Sequence, residues 1–362
     1  MESKSVSSRG IVPTGIGLLI LLGISLSAAV IWLDFHHPAG ATAMLMFPFW
    51  VCTAIVAMAG YWVIPLLKQL KMGQFIREDG PQAHLKKAGT PTMGGVFVVP
   101  IGTIVGVIWS QFNPDAIAVA LVSLGYFAIG GLDDWKSLSG RKNEGLKPKA
   151  KLLFQLAIAT AFCAWTYYSK GDKITSVHLP LNIVLPLGVL FWLLAAFVLL
   201  AESNATNLTD GVDGLAGGTG AIALLGLGAI IRSTDPGLAA FCLCLSGSYL
   251  GFVFHNRNKA KVFMGDTGSL ALGGALGAVG LLTDNLWSLL ILSGIFLIES
   301  LSVIAQVGYY KATKDAEGKG KRLLKMAPFH HHLELSGWTE TQVVGVFYAI
   351  EWLLVIICIA TK

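Results

Sequence analysis

The stretch 116-AIAVALVSLGYFAIGGLDDWK-136 decides how this chain is read. An apolar run over 116–132 ends in two adjacent carboxylates, Asp133 and Asp134. A run of that length approaches the roughly 18 residues that cross a bilayer as a helix. A carboxylate in hydrocarbon is costly and two neighbours repel, so the pair belongs at a membrane edge, where it needs a partner.

Similar runs recur on both sides of this one. The chain is 54% hydrophobic and 13% charged, with a mean hydropathy of +0.67. Soluble domains carry about a quarter charged residues. The reading is therefore an all-α polytopic integral membrane protein. Eleven spans are expected, near 11–33, 43–67, 94–111, 115–132, 151–169, 183–203, 212–232, 236–254, 268–282, 286–310 and 341–360. The first is too long for a signal-peptide core and is read as a retained helix. The ninth, GSLALGGALGAVGLL, holds Gly273 and Gly277 at GxxxG spacing, which predicts close helix packing instead of lipid exposure. Cys52, Cys163, Cys242, Cys244 and Cys358 all sit in apolar runs without a CxxC, so they read as packing residues.

Charge orients these spans. Of the 26 Lys and Arg, all but Lys170, Lys173, Arg232 and Lys362 fall on one face, in the N-terminal tail and in loops 68–93, 133–151, 255–267 and 311–340. Positive residues stay cytoplasmic, which puts the N-terminus inside and the C-terminus outside. The opposite face holds short turns (FNP, STDPG, TDN). The long polar loops carry the motifs, so function is expected on the cytoplasmic face. An ion-coupled transporter would instead place ionisable groups near mid-membrane on broken helices.

Five segments bring chemistry to that face. Asp133 and Asp134 close the fourth span. Asn204, Asn207, Asp210 and Asp213 lie in 202-ESNATNLTDGVDGLAGG-218, Asp266 in 261-KVFMGDTGS-269, and His330, His331 and His332 in 326-MAPFHHHLELSGW-338. Lys86 and Lys87 precede GTPTMGG, and Lys136, Arg141, Lys142, Lys147, Lys149 and Lys151 follow the aspartate pair. Clustered oxygen ligands suit Mg²⁺ or Mn²⁺, which use one or two carboxylates and complete their shells with water and phosphate. Solvated helix-end charges are the plainer alternative. Glycines before a helix, as in LTDGVDGLAGG, favour an anion at its N-terminus or merely a tight turn. No GxxxxGK[ST] or EF-hand spacing occurs. Three consecutive histidines point about 100° apart on a helix and make a poor zinc site; imidazoles facing phosphate fit better. Phe263 reads as a membrane anchor or as a stacking face for a base. Glu299 and Gln306 share a helix face inside a span, where they line a polar cleft or pair within the bundle; Glu351 reads as structural.

These motifs, with 77-REDGPQAHLKKAGTPTMGG-95, 299-ESLSVIAQVGYYK-311 and 327-APFHHHLELSGWTETQVV-344, resemble in order those of the bacterial phospho-N-acetylmuramoyl-pentapeptide transferases. These form a branch of the polyprenyl-phosphate N-acetylhexosamine-1-phosphate transferases. The likeness runs from about residue 60 to 361. It implies an enzyme of the bacterial inner membrane that moves phospho-MurNAc-pentapeptide from UDP-MurNAc-pentapeptide to undecaprenyl phosphate, giving lipid I and UMP, with Mg²⁺ as cofactor. Relatives using UDP-GlcNAc are the alternative within the class. The resemblance also implies membrane-lipid contact, a homodimer and no nucleic-acid partner. By position it makes Asp133, Asp134, Asp266, His330 and Lys87 catalytic, with Asp266 the metal ligand. It places Thr92, Asn207, Asp210, Asp213, Gly214, Leu215, Asn256, Phe263, Gln306, His331 and His332 around the substrates. Phe263 becomes the expected uracil stacking partner and Asp133 the group that orients or deprotonates the lipid phosphate, in a single displacement. Two departures stand out. The family core has ten spans, expected here over 43–362, so 1–42 is an extension with one extra span; and Ser137 stands where the family often has lysine, with Lys136 one place earlier.

Overall fold

The structure, a computed structural model, describes residues 12–36, 44–70, 72, 87, 89–139, 145–181 and 183–361. Lys86, Arg141, Lys142 and most of REDGPQAHLKK lie outside the described residues.

Thirteen α-helices make up most of the described chain. They are α1 Gly15–His36, α2 Met46–Gln69, α3 Gly95–Trp109, α4 Pro114–Ser139, α5 Pro148–Lys170, α6 Leu190–Thr209 and α7 Leu215–Ile231, then α8 Pro236–Asn256, α9 Gly265–Leu282, α10 Leu286–Leu292, α11 Gly294–Ala312, α12 Phe329–Glu334 and α13 Glu340–Ala360. Local chemistry sets several of the starts. Proline, whose missing N–H costs nothing at a helix start, opens α5 and α8. Asp235 caps α8 by accepting from the Leu238 amide at 2.8 Å. Thr339 and Gln342 form a reciprocal capping box on α13.

The small-residue helices occupy the centre. Every residue of α9 from Thr267 to Leu282 is buried, and α7 and α8 are buried almost throughout. Helices α4 and α6 pack on α9, while α2, α3 and α7 pack on α8. The GxxxG expectation for α9 has a physical counterpart. A Cβ on Gly273 would stand 2.2 Å from the Glu202 carbonyl oxygen, and one on Gly277 3.2 Å from the Leu199 side chain. The α6 backbone can approach α9 this closely only across glycine. Outer helices bury one stripe and expose apolar residues on the other, as in α1, where Leu18, Leu22, Leu26, Val30 and Leu33 face inward and Ile16, Ile20 and Ile24 face outward.

Among the described residues, seven helices are long and apolar enough to cross a membrane: α1, α2, α4, α5, α6, α8 and α13. The pair α10–α11 makes an eighth if taken together, bent by 71° at its break. The chain is thus polytopic. The other three expected spans coincide with α3, α7 and α9, of 15, 17 and 18 residues. Two features depart from the sequence reading. The tenth span is broken at Ser293, and a short antiparallel hairpin pairs Ser176–Leu179 (β1) with Ile183–Pro186 (β2) at the start of what reads as the sixth span. His178 of β1 lies 3.0 Å from Asp284 in the α9–α10 turn, which ties the hairpin to the end of the bundle away from Asp266.

Candidate active site

The C-terminal ends of α4 and α6 and the N-terminal ends of α5, α7 and α9 meet at one end of the bundle. Glycine permits the meeting: a Cβ on Gly130 of α4 would stand 2.1 Å from the Asp266 carbonyl oxygen, and one on Gly95 of α3 2.3 Å from the Gly268 nitrogen. The PTMGG motif is thereby explained. Its backbone pairs with the segment ahead of α9, with Phe263 N–H donating to Pro91 at 2.8 Å, Gly94 N–H to Phe263 at 2.8 Å and Gly95 N–H to Met264 at 3.0 Å. This pairing sets Phe263, which is half-buried, and Thr92 beside the first turn of α9.

The two adjacent aspartates have different tasks. Asp134 accepts from the Asp266 amide at 3.2 Å, the Thr267 amide at 3.0 Å and the Thr267 hydroxyl at 2.5 Å. It caps α9 from a neighbouring helix, and its charge faces the positive end of the α9 dipole. Asp133 has one amide partner, Leu146 N–H at 2.7 Å on Oδ1, while its Oδ2 faces the Lys151 ammonium at 4.0 Å. Lys151 also pairs with Asp266 Oδ2. The other Asp266 oxygen accepts from Asn207 Nδ2 at 2.7 Å, and that amide also reaches Ser269 Oγ at 2.9 Å. Asp210, just past the end of α6, has its carboxyl pushed up to about 8 by burial and by the nearby charges of Asp266, Asp134 and Asp213.

A second cluster adjoins the first. Lys87 donates to Asp213 and to Glu340 of α13, both at 2.8 Å. Burial alone would lower the Lys87 ammonium, but the two carboxylates outweigh it and hold it above its ordinary value. Asn258 Nδ2 also reaches Glu340 at 3.1 Å, and the Ala260 amide reaches Asp213 at 2.9 Å. Gly214, in the left-handed conformation (φ +84°), opens α7. Its N–H donates to Asn256 Oδ1 at 2.9 Å and its carbonyl accepts from Tyr348 at 2.6 Å, with Leu215 fully buried behind it.

The histidines separate. His330 is fully buried, with Nδ1 3.1 Å from Glu299 Oε2 and its amide on the same carboxylate. Its Nε2, without a partner, lies against Gly211 of the TDGVDG turn, where a Cβ would stand 2.2 Å away. Of the two options for Glu299, pairing within the bundle is the one seen. His331 pairs with Glu334 at 2.7 Å, and His332 accepts from the Lys325 amide at 3.1 Å. Gln306 holds the Leu323 and Leu324 amides at 3.0 and 2.9 Å. Gln306 and His332 therefore organise the segment before α12 and do not reach the acids.

Asp133, Asp134, Asn207, Asp210 and Asp266 thus converge, and Lys87 with Asp213 lies beside them. Sequence reasoning left Lys151 as one of several loop lysines and overlooked Glu340, Asn258 and Thr267. Lys151 carried one usable signal: Pro148 starts α5, so Lys151 falls on its first turn and points back toward the aspartate pair. Glu340 read only as part of the TETQ helix start.

Among the described residues, the carboxylates here outnumber Lys87 and Lys151. No group of three or more His, Cys, Asp or Glu is arranged as a ready metal cage among them. Mg²⁺ does not require one, because one or two carboxylates with water and substrate phosphate suffice. The Lys151 ammonium, lying between Asp133 and Asp266, shows that a cation is accepted between these two carboxylates.

Comparison with known proteins agrees. Residues 116–284 match the model of glycosyl transferase family 4, and residues 87–99 match signature 1 of the phospho-N-acetylmuramoyl-pentapeptide-transferases. The chain is 59% identical over 355 residues to the phospho-N-acetylmuramoyl-pentapeptide-transferase of Gloeothece citriformis, covering 97% of both chains. It is 57% identical over 351 residues to that of Rippkaea orientalis, covering 97% of this chain and 96% of the relative. It is 60% identical over 347 residues to that of Microcystis aeruginosa, covering 96% of both. With identity of this order over nearly the whole length, the chain belongs to the phospho-N-acetylmuramoyl-pentapeptide-transferase family.

Proposed function

We propose that the chain transfers phospho-MurNAc-pentapeptide from UDP-MurNAc-pentapeptide to undecaprenyl phosphate, forming lipid I and releasing UMP. The observation that carries the site assignment is the convergence of Asp133 and Asp266 on one cation position at the end of the bundle. Both substrates are phosphates, so catalysis is chiefly positioning and charge neutralisation. Asp266, oriented by the Asn207 amide, is the residue to hold Mg²⁺, which when bound would neutralise the diphosphate of the nucleotide. Lys151 and Lys87 supply further positive charge. Asp133, with one oxygen unengaged by any amide, orients or deprotonates the lipid phosphate that attacks the phosphorus bearing the sugar. Asp134 keeps α9, and with it Asp266, in place.

Adjacent aspartates at a helix end answer to the depth of a lipid headgroup. The phosphate of a membrane-bound acceptor stays at the interface, so its partner must stand where a span ends. In this reading α3, α7 and α9 also cross the bilayer, for eleven spans in all. The acid end faces the cytoplasm, the N-terminus lies inside and the C-terminus outside, as the distribution of Lys and Arg supports.

The test offers the purified protein UDP-MurNAc-pentapeptide and UDP-GlcNAc separately, with undecaprenyl phosphate and Mg²⁺, and follows the lipid product. Product from the first donor alone is expected. Product from UDP-GlcNAc alone would keep the reaction class and overturn the donor.

A further inference from the structure

The helix α1 lies outside the ten-span core, and nothing in the reaction above uses it. It runs about 33 Å along the bundle, from 22 residues at 1.5 Å each. Both of its ends are anchored. At one end Asp34 pairs with the buried Arg232 after α7 at 2.8 Å. The same carboxylate accepts from the Leu45 and Met46 amides, both at 3.0 Å, and so caps α2. At the other end Gly15 lies directly on the backbone of Asn258, where a Cβ would stand 2.1 Å from the Asn258 carbonyl oxygen. One turn on, Leu18 touches Gly345 of α13, and Pro13 lines a cleft with Trp338, Gln342 and Gly345.

The segment under Gly15 is the one that organises one side of the candidate site. Within it Asn256 holds Gly214, Asn258 holds Glu340, and Ala260 holds Asp213, the carboxylates that also bind Lys87. We propose that α1 is a positioning element for the nucleotide substrate: it seats Gly15 on Asn258 and so keeps the 256–262 segment in register with Gly214, Asp213 and Glu340. The inference rests on the transferase reading and deepens it. Gly15 touches no substrate. Its requirement is absence of bulk, because the atom facing it is backbone and cannot rotate aside.

The test compares Gly15→Ala and Gly15→Val with Gly23→Val. Gly23 lies on the same helix, about two turns further on, with no atom within 4 Å of a Cβ. Wild-type turnover of UDP-MurNAc-pentapeptide checks the functional reading by itself. Given that turnover, the Gly15 variants are expected to raise the KM for the nucleotide about tenfold. Their kcat and their KM for undecaprenyl phosphate should stay within about twofold of wild type, the pattern of lost ground-state positioning. Gly23→Val should match wild type in all three constants. Unchanged nucleotide KM in both Gly15 variants would overturn the brace while leaving the transferase reading intact. So would equal losses in both substrates' KM. Failure of both Gly15 variants to fold while Gly23→Val folds would make the contact a folding contact only, and would also overturn it.

Discussion

Replacing Asp134 by asparagine should cost stability, whereas replacing Asp133 by asparagine should cost turnover. Asp134 receives two amides and a hydroxyl at 3.0–3.2 Å and 2.5 Å. Asparagine of the same shape keeps one accepting oxygen and turns an NH₂ toward a donor. The Thr267 hydroxyl can rotate, but one α9 amide is left without an acceptor, at about 1–3 kcal/mol. Loss of the negative charge at the α9 N-terminus adds roughly 0.3–2 kcal/mol. The sum is about 1–5 kcal/mol. Asp133 has one amide partner, which asparagine can keep, and a partly exposed ion contact at 4.0 Å with Lys151, so about 1 kcal/mol or less is expected there. Its loss as a proton acceptor should lower turnover by about 10²–10⁴. Denaturation in detergent and UMP release, measured on both variants, separate the two roles. An Asp134→Asn protein as stable as wild type, or an Asp133→Asn protein that is destabilised yet active, would refute this division.

The other predictions concern charge and close approach. Lys87→Met leaves the buried Asp213 facing Glu340 and should cost on the order of 3–5 kcal/mol, seen as a lower denaturation midpoint. Because Lys87 is held above 10.5, its ion-pair contribution is complete below that pH and fades only as pH rises through its higher folded value. The ratio of wild-type to Lys87→Met activity should therefore be the same at pH 6.5 and pH 9; a ratio that collapses in that window would contradict the assignment. Gly130→Ala drives a methyl against the Asp266 carbonyl and should destabilise by about 1–3 kcal/mol with loss of activity. Gly131→Ala, whose nearest neighbour is the Thr267 hydroxyl at 3.9 Å, should be neutral in both assays.

Much of the molecule is legible in the sequence. Hydropathy marks a polytopic helical protein, and the GxxxG of α9 announces a tight helix contact, which α6 supplies. The acids and amides that meet at Asp266 are named by their motifs. Legibility ended where one residue type serves two purposes. Nothing local separates Asp133 from Asp134; the distinction arises because α9 directs its N-terminal amides at one of them. Lys151 was hidden among lysines that also serve topology, since its role depends on the angle between α4 and α5. Glu299, 31 positions away, holds His330 by Nδ1, a pairing that no local pattern in the sequence announces. The break at Ser293 and the 176–186 hairpin were hidden by the apolar character they share with spans, because hydropathy measures solvent preference and not backbone direction.

The most direct test of the acid centre is titration of Mn²⁺ into the purified protein, followed by electron paramagnetic resonance, in wild type, Asp266→Asn and Lys151→Gln. One bound Mn²⁺ is predicted in wild type. Its affinity should fall at least about tenfold in Asp266→Asn, by loss of a ligand charge. It should hold or rise in Lys151→Gln, where the competing ammonium is gone. Equal Mn²⁺ affinity in wild type and Asp266→Asn would contradict a metal-assisted centre at Asp266.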